Sequence, residues 1–246
     1  MKLLKDIYLV GSGNQGFGIS NGYDCSMYLI DCGDNAILID SGAGIDQKTI
    51  LANIQAEGIN PDIITKILLT HAHADHSGGA SGFVDRLHCQ VFLHQAEADA
   101  LEHGDEDALS LAPAKRRGYY PSDYRLKPTH VDNRLGDGNV IDAGKYKIRV
   151  YYTPGHSRGS VCYLLEGHER RVLFSGDSFF LGGKINLLNC AGSSLDDYRE
   201  HSRKLSGLSV DALMPGHFAF TLSNAQHHLE QAITALEDLL VPPMAL

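Results

Sequence analysis

The chain has 246 residues, 43% of them hydrophobic and 21% charged, with a formal net charge of -9. That length supports a well-filled core without covalent staples, and the balance excludes fibrous and disordered classes. An acidic surface repels phosphate backbones, so no nucleic acid partner is expected and a small-molecule substrate fits better.

No stretch reaches the roughly 20 apolar residues that span a bilayer. The opening Met1-Lys2-Leu3-Leu4-Lys5-Asp6 lacks the apolar run of a signal peptide. The expectation is a cytoplasmic protein with no membrane partner; a homodimer stays open. Cys25, Cys32, Cys89, Cys162 and Cys190 form no CxxC pair, which reads as reduced thiols serving as small core side chains.

In chain order, apolar runs rich in Ile, Leu and Val predict buried strands at Ile7 to Val10, Tyr28 to Ile30, Ala36 to Asp40, Ile67 to Thr70 and Val91 to His94. Helical spacing over Gln47 to Glu57 closes at Gly58, which suits a helix ending on a left-handed glycine. From about 95 to 134 the pattern turns acidic, then basic, then rich in Tyr and Pro. This reads as an insertion with short helices at Ala96 to His103 and Asp107 to Arg117, whose Gly118-Tyr119-Tyr120-Pro121 tip could cap a pocket.

The second half repeats the theme, with strands at Tyr146 to Thr153, Val161 to Leu165, Val172 to Ser175 and Ala212 to Met214. Helices follow near Leu195 to Leu205 and Asn224 to Leu240. Two mixed halves point to two sheets with helices outside, in an α/β domain covering 1 to 246.

The densest chemical signal is His71-Ala72-His73-Ala74-Asp75-His76, directly after a predicted strand. A loop leaving a buried strand can turn His71 and His73 one way and Asp75 and His76 another, which would feed two neighbouring ions. A satisfied core does not gather imidazoles and a carboxylate without apolar alternation. His156, Asp177 and His217 each follow a predicted strand and a glycine, a placement that lets the backbone turn tightly and aim the side chain into a crevice beyond the strand ends.

These residues resemble the metallo-β-lactamase superfamily, whose pattern is HxHxDH followed by His, Asp and His, each after its own strand. The resemblance implies an αββα sandwich and a dinuclear centre with two divalent ions, zinc by default and iron or manganese as alternatives. It places His71, His73 and His156 on one ion and Asp75, His76 and His217 on the other, with Asp177 bridging. It also implies that Asp40 supports a ligating histidine, and that Asp75 both ligates and orients the attacking hydroxide, whose pKa such ions lower to about 7.

Asp177 at the bridging position resembles the glyoxalase II, lactonase and phosphodiesterase branches more than the true β-lactamases, which carry Cys or Ser there. Phe180 stands where lactonases place a tyrosine, and a phenyl ring donates no hydrogen bond; Tyr119 or Tyr120 could supply one. Phe179, Phe180 and Phe218 could line an acyl pocket, and Lys184 could meet a substrate carboxylate. The expected activity is hydrolysis of an ester-like bond, thioester or lactone first. A phosphodiesterase and an iron-dependent dioxygenase of the persulfide type are the alternatives.

Overall fold

The computed structural model describes residues 1 to 245. Contacts divide the chain into two compact units, Met1–Arg134 and Leu135–Leu246, each built on one mixed sheet.

The first unit carries β1 (Lys2–Leu4), β2 (Ile7–Gly11), β3 (Met27–Asp31), β4 (Ala36–Ile39), β5 (Ile64–Leu68) and β6 (Gln90–His94). A last strand, β7 (Asn133–Leu135), takes the chain across the unit boundary. The sheet follows sequence order. The first four strands pair antiparallel, and β4, β5 and β6 pair parallel with Leu38 beside Ile67 and Ile67 beside Val91. Every residue of β2 and β4 is buried, the near-continuous apolar pattern of a strand covered on both faces.

The helices of this unit are α1 (Gln47–Ala56), α2 (Ala74–Ser77), α3 (Ala80–Leu87), α4 (Gln95–His103) and α5 (Leu111–Arg116). Asp46 caps α1 by accepting from the Thr49 amide, and Gly58 follows it with φ of +79°, the left-handed turn expected there. Ile50 and Ile54 of α1, Phe83 of α3 and Leu101 of α4 join Leu38, Ile67 and Val91 in one core. Each such side chain contributes about 1.5–3 kcal/mol by leaving water.

The second unit orders its strands β12-β11-β10-β9-β8, from β8 (Val140–Ala143), β9 (Tyr146–Tyr152), β10 (Val161–Glu166), β11 (Val172–Gly176) and β12 (Ala212–Pro215). Only β11 and β12 pair parallel. Its helices are α6 (Leu195–His201), extended by a 3-10 turn at Ser202–Leu205, and α7 (Ala225–Glu237). Buried Leu229, Ala232, Ile233 and Leu236 line one face of α7 at helical spacing, and they pack with Leu173, Leu213 and Tyr198.

The predicted strands and helices are present with shifted ends. One shift bears on the site: β5 stops at Leu68 rather than Thr70, because Thr70 turns away to serve a buried carboxylate. Among the described residues the five cysteines form no disulfide, and all but Cys190 are buried. Among the described residues no helix is long and apolar enough to cross a membrane.

Candidate functional site

In the first unit, β4 delivers Asp40 in a left-handed conformation, φ +60°, which costs a non-glycine residue about 1–2 kcal/mol. The surroundings hold it there. Its buried carboxylate accepts from the Thr70 amide at 2.7 Å, from Thr70 Oγ1 at 2.9 Å and from His76 Nδ1 at 2.8 Å. A buried charge is tolerated only when paired and hydrogen-bonded in this way.

These contacts set the histidine tautomers. His76 gives its Nδ1 proton to Asp40, so Nε2 carries the lone pair. The one proton of Thr70 Oγ1 is directed at Asp40, so Oγ1 accepts from His71 Nδ1 at 3.1 Å and His71 also presents Nε2. The single turn α2, closed by the amides of His76 and Ser77 on the His73 carbonyl at 3.0 and 2.9 Å, gathers the rings. His71 lies 4.6 Å from His73 and 4.1 Å from His76 between centroids. Asp75 Oδ2 lies 3.6 Å from His76 Nε2, on a side chain that keeps 20% of its surface exposed while His76 keeps none.

In the second unit, Gly155 follows β9 with φ of +136°, and a Cβ there would come within 2.4 Å of the Tyr198 ring. Only glycine fits. The turn aims His156, whose Nδ1 donates to the Asn186 carbonyl at 2.8 Å, and a carbonyl can only accept, so this histidine too presents Nε2. Gly176, φ +49°, ends β11 and delivers Asp177. Asp177 Oδ2 lies 3.6 Å from His156 Nε2 and 3.5 Å from His217 Nε2, and it accepts from Asn186 Nδ2 at 3.2 Å. Tyr198 Oη braces the arrangement on the carbonyls of Asn186 and Asp177 at 3.3 and 3.5 Å.

Each unit therefore assembles its own share of the expected donors: His71, His73, Asp75 and His76 with Asp40 in the first, His156, Asp177 and His217 in the second. Neutral imidazoles keyed through Nδ1 and presenting Nε2 beside carboxylates are the donors a divalent metal takes. The donor set fits such an ion.

The other candidates fall in different settings. Tyr119 is 66% exposed. Tyr120 is half-buried; burial, then the Asp75 charge, raises its hydroxyl well above the ordinary tyrosine range. Phe179 packs edge-on against Tyr198 inside the second core. Phe180 meets Phe218 edge-on at 5.8 Å, and Lys184 is exposed.

Sequence reasoning overlooks Thr70, Asn186, Tyr198 and Glu97, the last of which, buried at the start of α4, accepts from the Ala72 amide at 2.8 Å and steadies the histidine loop. Thr70 precedes the motif directly, which is the one signal that could single it out. Cys25 also sits here, with its sulfur and the ligating atoms of Asp40 and His76 within 4.8 Å of one another. Burial pushes its thiol up to about 12, so it stands beside His76 as a neutral group.

Strand-end histidines and aspartates on two mixed sheets define a class of metal-binding hydrolases. The metallo-beta-lactamase superfamily model matches residues 20–217, a span that contains all seven donors, and the chain belongs to that superfamily and is a hydrolase. Acyl-coenzyme A thioesterase MBLAC2 of Homo sapiens is 31% identical over 218 residues, covering 80% of this chain and 74% of that protein. Atrochrysone carboxyl ACP thioesterase of Aspergillus fumigatus is 27% identical over 207 residues, covering 84% and 54%. Among solved structures, the subclass B3 metallo-beta-lactamase BJP-1 of Bradyrhizobium japonicum superposes with a TM-score of 0.72 at 22% identity, over 97% of this chain and 91% of that one. That likeness identifies the metallo-β-lactamase fold.

Proposed function

We propose that the chain is a metal-dependent thioesterase acting on acyl thioesters. In this reading it holds two divalent ions, zinc first, with His71, His73 and His156 on one, Asp75, His76 and His217 on the other, and Asp177 shared. The observation that carries the thioester is the 31% identity, over 218 residues, with an acyl-coenzyme A thioesterase. The bound ions would supply Lewis acidity to polarise the thioester carbonyl and acidify water near neutral pH.

The chain's own residues do the rest. Asp40, Thr70 and the Asn186 carbonyl orient His76, His71 and His156 through Nδ1, which leaves Nε2 as the ligating nitrogen of each ring. Asp75, the carboxylate in the first set with exposed surface, takes the proton of the attacking water and can return it to the departing sulfur. A thiolate, with a conjugate pKa of about 8.5, needs little of that help, so Asp75 matters most as orienter. Phe218, half-buried and backed by the buried ring of Phe180, offers apolar surface for an acyl chain.

The test loads purified protein with zinc and measures thiol release from a long-chain acyl-coenzyme A, beside an acyl-homoserine lactone and a bis-aryl phosphate. Thioester turnover is expected to lead. Asp75→Asn should retain most of its metal and lose most of its turnover. Cleavage of the lactone or phosphate alone would overturn the thioester reading.

A further inference from the structure

The segment that follows Asp177 does more than carry the chain away from β11, because the second unit pins it from several sides. The Phe180 amide donates to the Lys184 carbonyl at 2.9 Å and folds the segment back on itself. The Gly182 amide donates to His228 Nδ1 of α7 at 3.1 Å, and a Cβ on Gly183, φ +66°, would come within 2.6 Å of Gln231 Cβ. Behind it, the fully buried Ile185 pairs with the residues that follow α7. Its amide donates to the Pro243 carbonyl and its carbonyl accepts from the Ala245 amide, both at 2.9 Å.

That pinning seats Asn186, only 1% exposed, between two of the proposed ligands. Its carbonyl takes His156 Nδ1 at 2.8 Å and Tyr198 Oη at 3.3 Å. Its side chain faces Asp177, with Nδ2 donating to Oδ2 at 3.2 Å. A carboxylate only accepts, so the NH2 end of the amide is the end that faces it. The same Oδ2 lies 3.6 Å from His156 Nε2 and 3.5 Å from His217 Nε2. At the other end of the amide, Oδ1 is buried with no partner among the described residues. A buried acceptor without a donor costs stability, and a leucine of similar bulk would carry no such cost, so packing does not account for an asparagine here.

We infer that Asn186 is a positioning residue for Asp177: its amide fixes which way the proposed bridging carboxylate faces, while its carbonyl keys His156. The torsion that turns an aspartate carboxyl is broad and two-fold, so the Asp177 side chain does not set the direction of its own oxygens. A donor on Oδ2 sets it, held by the same main chain that holds His156. One residue thereby ties two donors of this unit to each other. The inference rests on the proposed ligation by Asp177 and His156.

Asn186→Leu and Asn186→Ala test it, because both lose the amide and keep the carbonyl. Removal of a hydrogen bond that orients a ligating group costs about 10–100-fold in metal affinity or activity. Both variants should therefore bind zinc about tenfold less tightly in competition with a chromophoric chelator. Their kcat for thiol release from a long-chain acyl-coenzyme A should fall by a similar factor, with KM within about twofold. The metal-free variants should melt within about 4 °C of the wild type, which separates lost positioning from lost folding. In an Asp177→Ala background, Asn186→Leu should add nothing to the loss of zinc affinity.

Wild-type zinc affinity in both variants, while Asp177→Ala loses it, overturns this inference alone. A loss in Asn186→Leu that Asn186→Ala does not share overturns it too, since bulk rather than the missing donor would be the cause. The same follows if the effect persists undiminished in the Asp177→Ala background, or if both metal-free variants melt far below the wild type. If Asp177→Ala itself keeps wild-type zinc affinity, the proposed ligation fails and this inference falls with it.

Discussion

Asp40 bears a strained backbone and a buried charge at once, and both costs are offset by a single set of donors. Thr70 and His76 between them fill its two oxygens, so the carboxylate cannot be amidated without leaving a donor facing a donor. Asp40→Asn keeps the shape but offers only one accepting oxygen. The His76 ring would then lose the partner that keeps its proton on Nδ1. The expected result is a folded protein whose zinc affinity falls about 10–100-fold, read by chelator competition; unchanged affinity would sink this account. Asp40 at the end of β4 is legible as a support from the family resemblance alone. Thr70 is not, because a threonine ending an apolar run reads as strand, and its turn toward Asp40 depends on a contact 30 positions away.

At the scale of elements, strong apolar runs such as Ile37–Ile39 or Val172–Phe174 declare themselves, since burial on both faces leaves no polar interruption. Short or half-exposed elements do not. β8 alternates exposed Val140 and Asp142 with buried Ile141 and Ala143, too few residues for a period to stand out. α3 opens at Ala80 behind glycines that read as loop. The change of composition from about 95 to 134 is legible, and the helices expected there fall at Gln95–His103 and Leu111–Arg116. The close approach of Tyr124 to Gly78 behind α2, its hydroxyl donating to the Ala43 carbonyl at 2.8 Å, is invisible in sequence, because contacts so far apart along the chain obey no spacing rule.

Lys115, which bonds both Glu106 and the Tyr124 carbonyl, gives that approach a pH signature. Burial alone would raise Glu106, but the Lys115 hydrogen bond, the Leu126 amide and the Lys115 charge outweigh it and hold its carboxyl below the ordinary 4.5. A carboxyl lowered on folding gives stability that is fully present above the unfolded value and lost as pH falls through the folded one. Lys115→Met should therefore destabilise the protein in urea at pH 7. The gap from wild type should narrow as pH drops below about 4.5. A gap that stays constant down to pH 3 would show that the pair contributes through packing of the lysine stem instead.

For the whole molecule, the division of donors between two units has an energetic consequence. Metal that binds only the native state stabilises it by RT ln(1 + [L]/Kd), about 2.7 kcal/mol when free metal is 100 times Kd. For a chain of this size that corresponds to a rise in Tm of roughly 5–11 °C. If His73 of the first unit and His156 of the second ligate one ion, as proposed, either His73→Ala or His156→Ala removes most of the part of that rise that this ion supplies and leaves the part due to the other. The double variant then loses little more, because the ion is already gone. Two independent ions would instead give losses that add. Differential scanning calorimetry across a zinc titration of the four proteins separates the cases, with the metal-free Tm values as the control for folding. Additive losses would mean that the two donor sets work apart, and the shared-ion reading of this hydrolase would have to be abandoned.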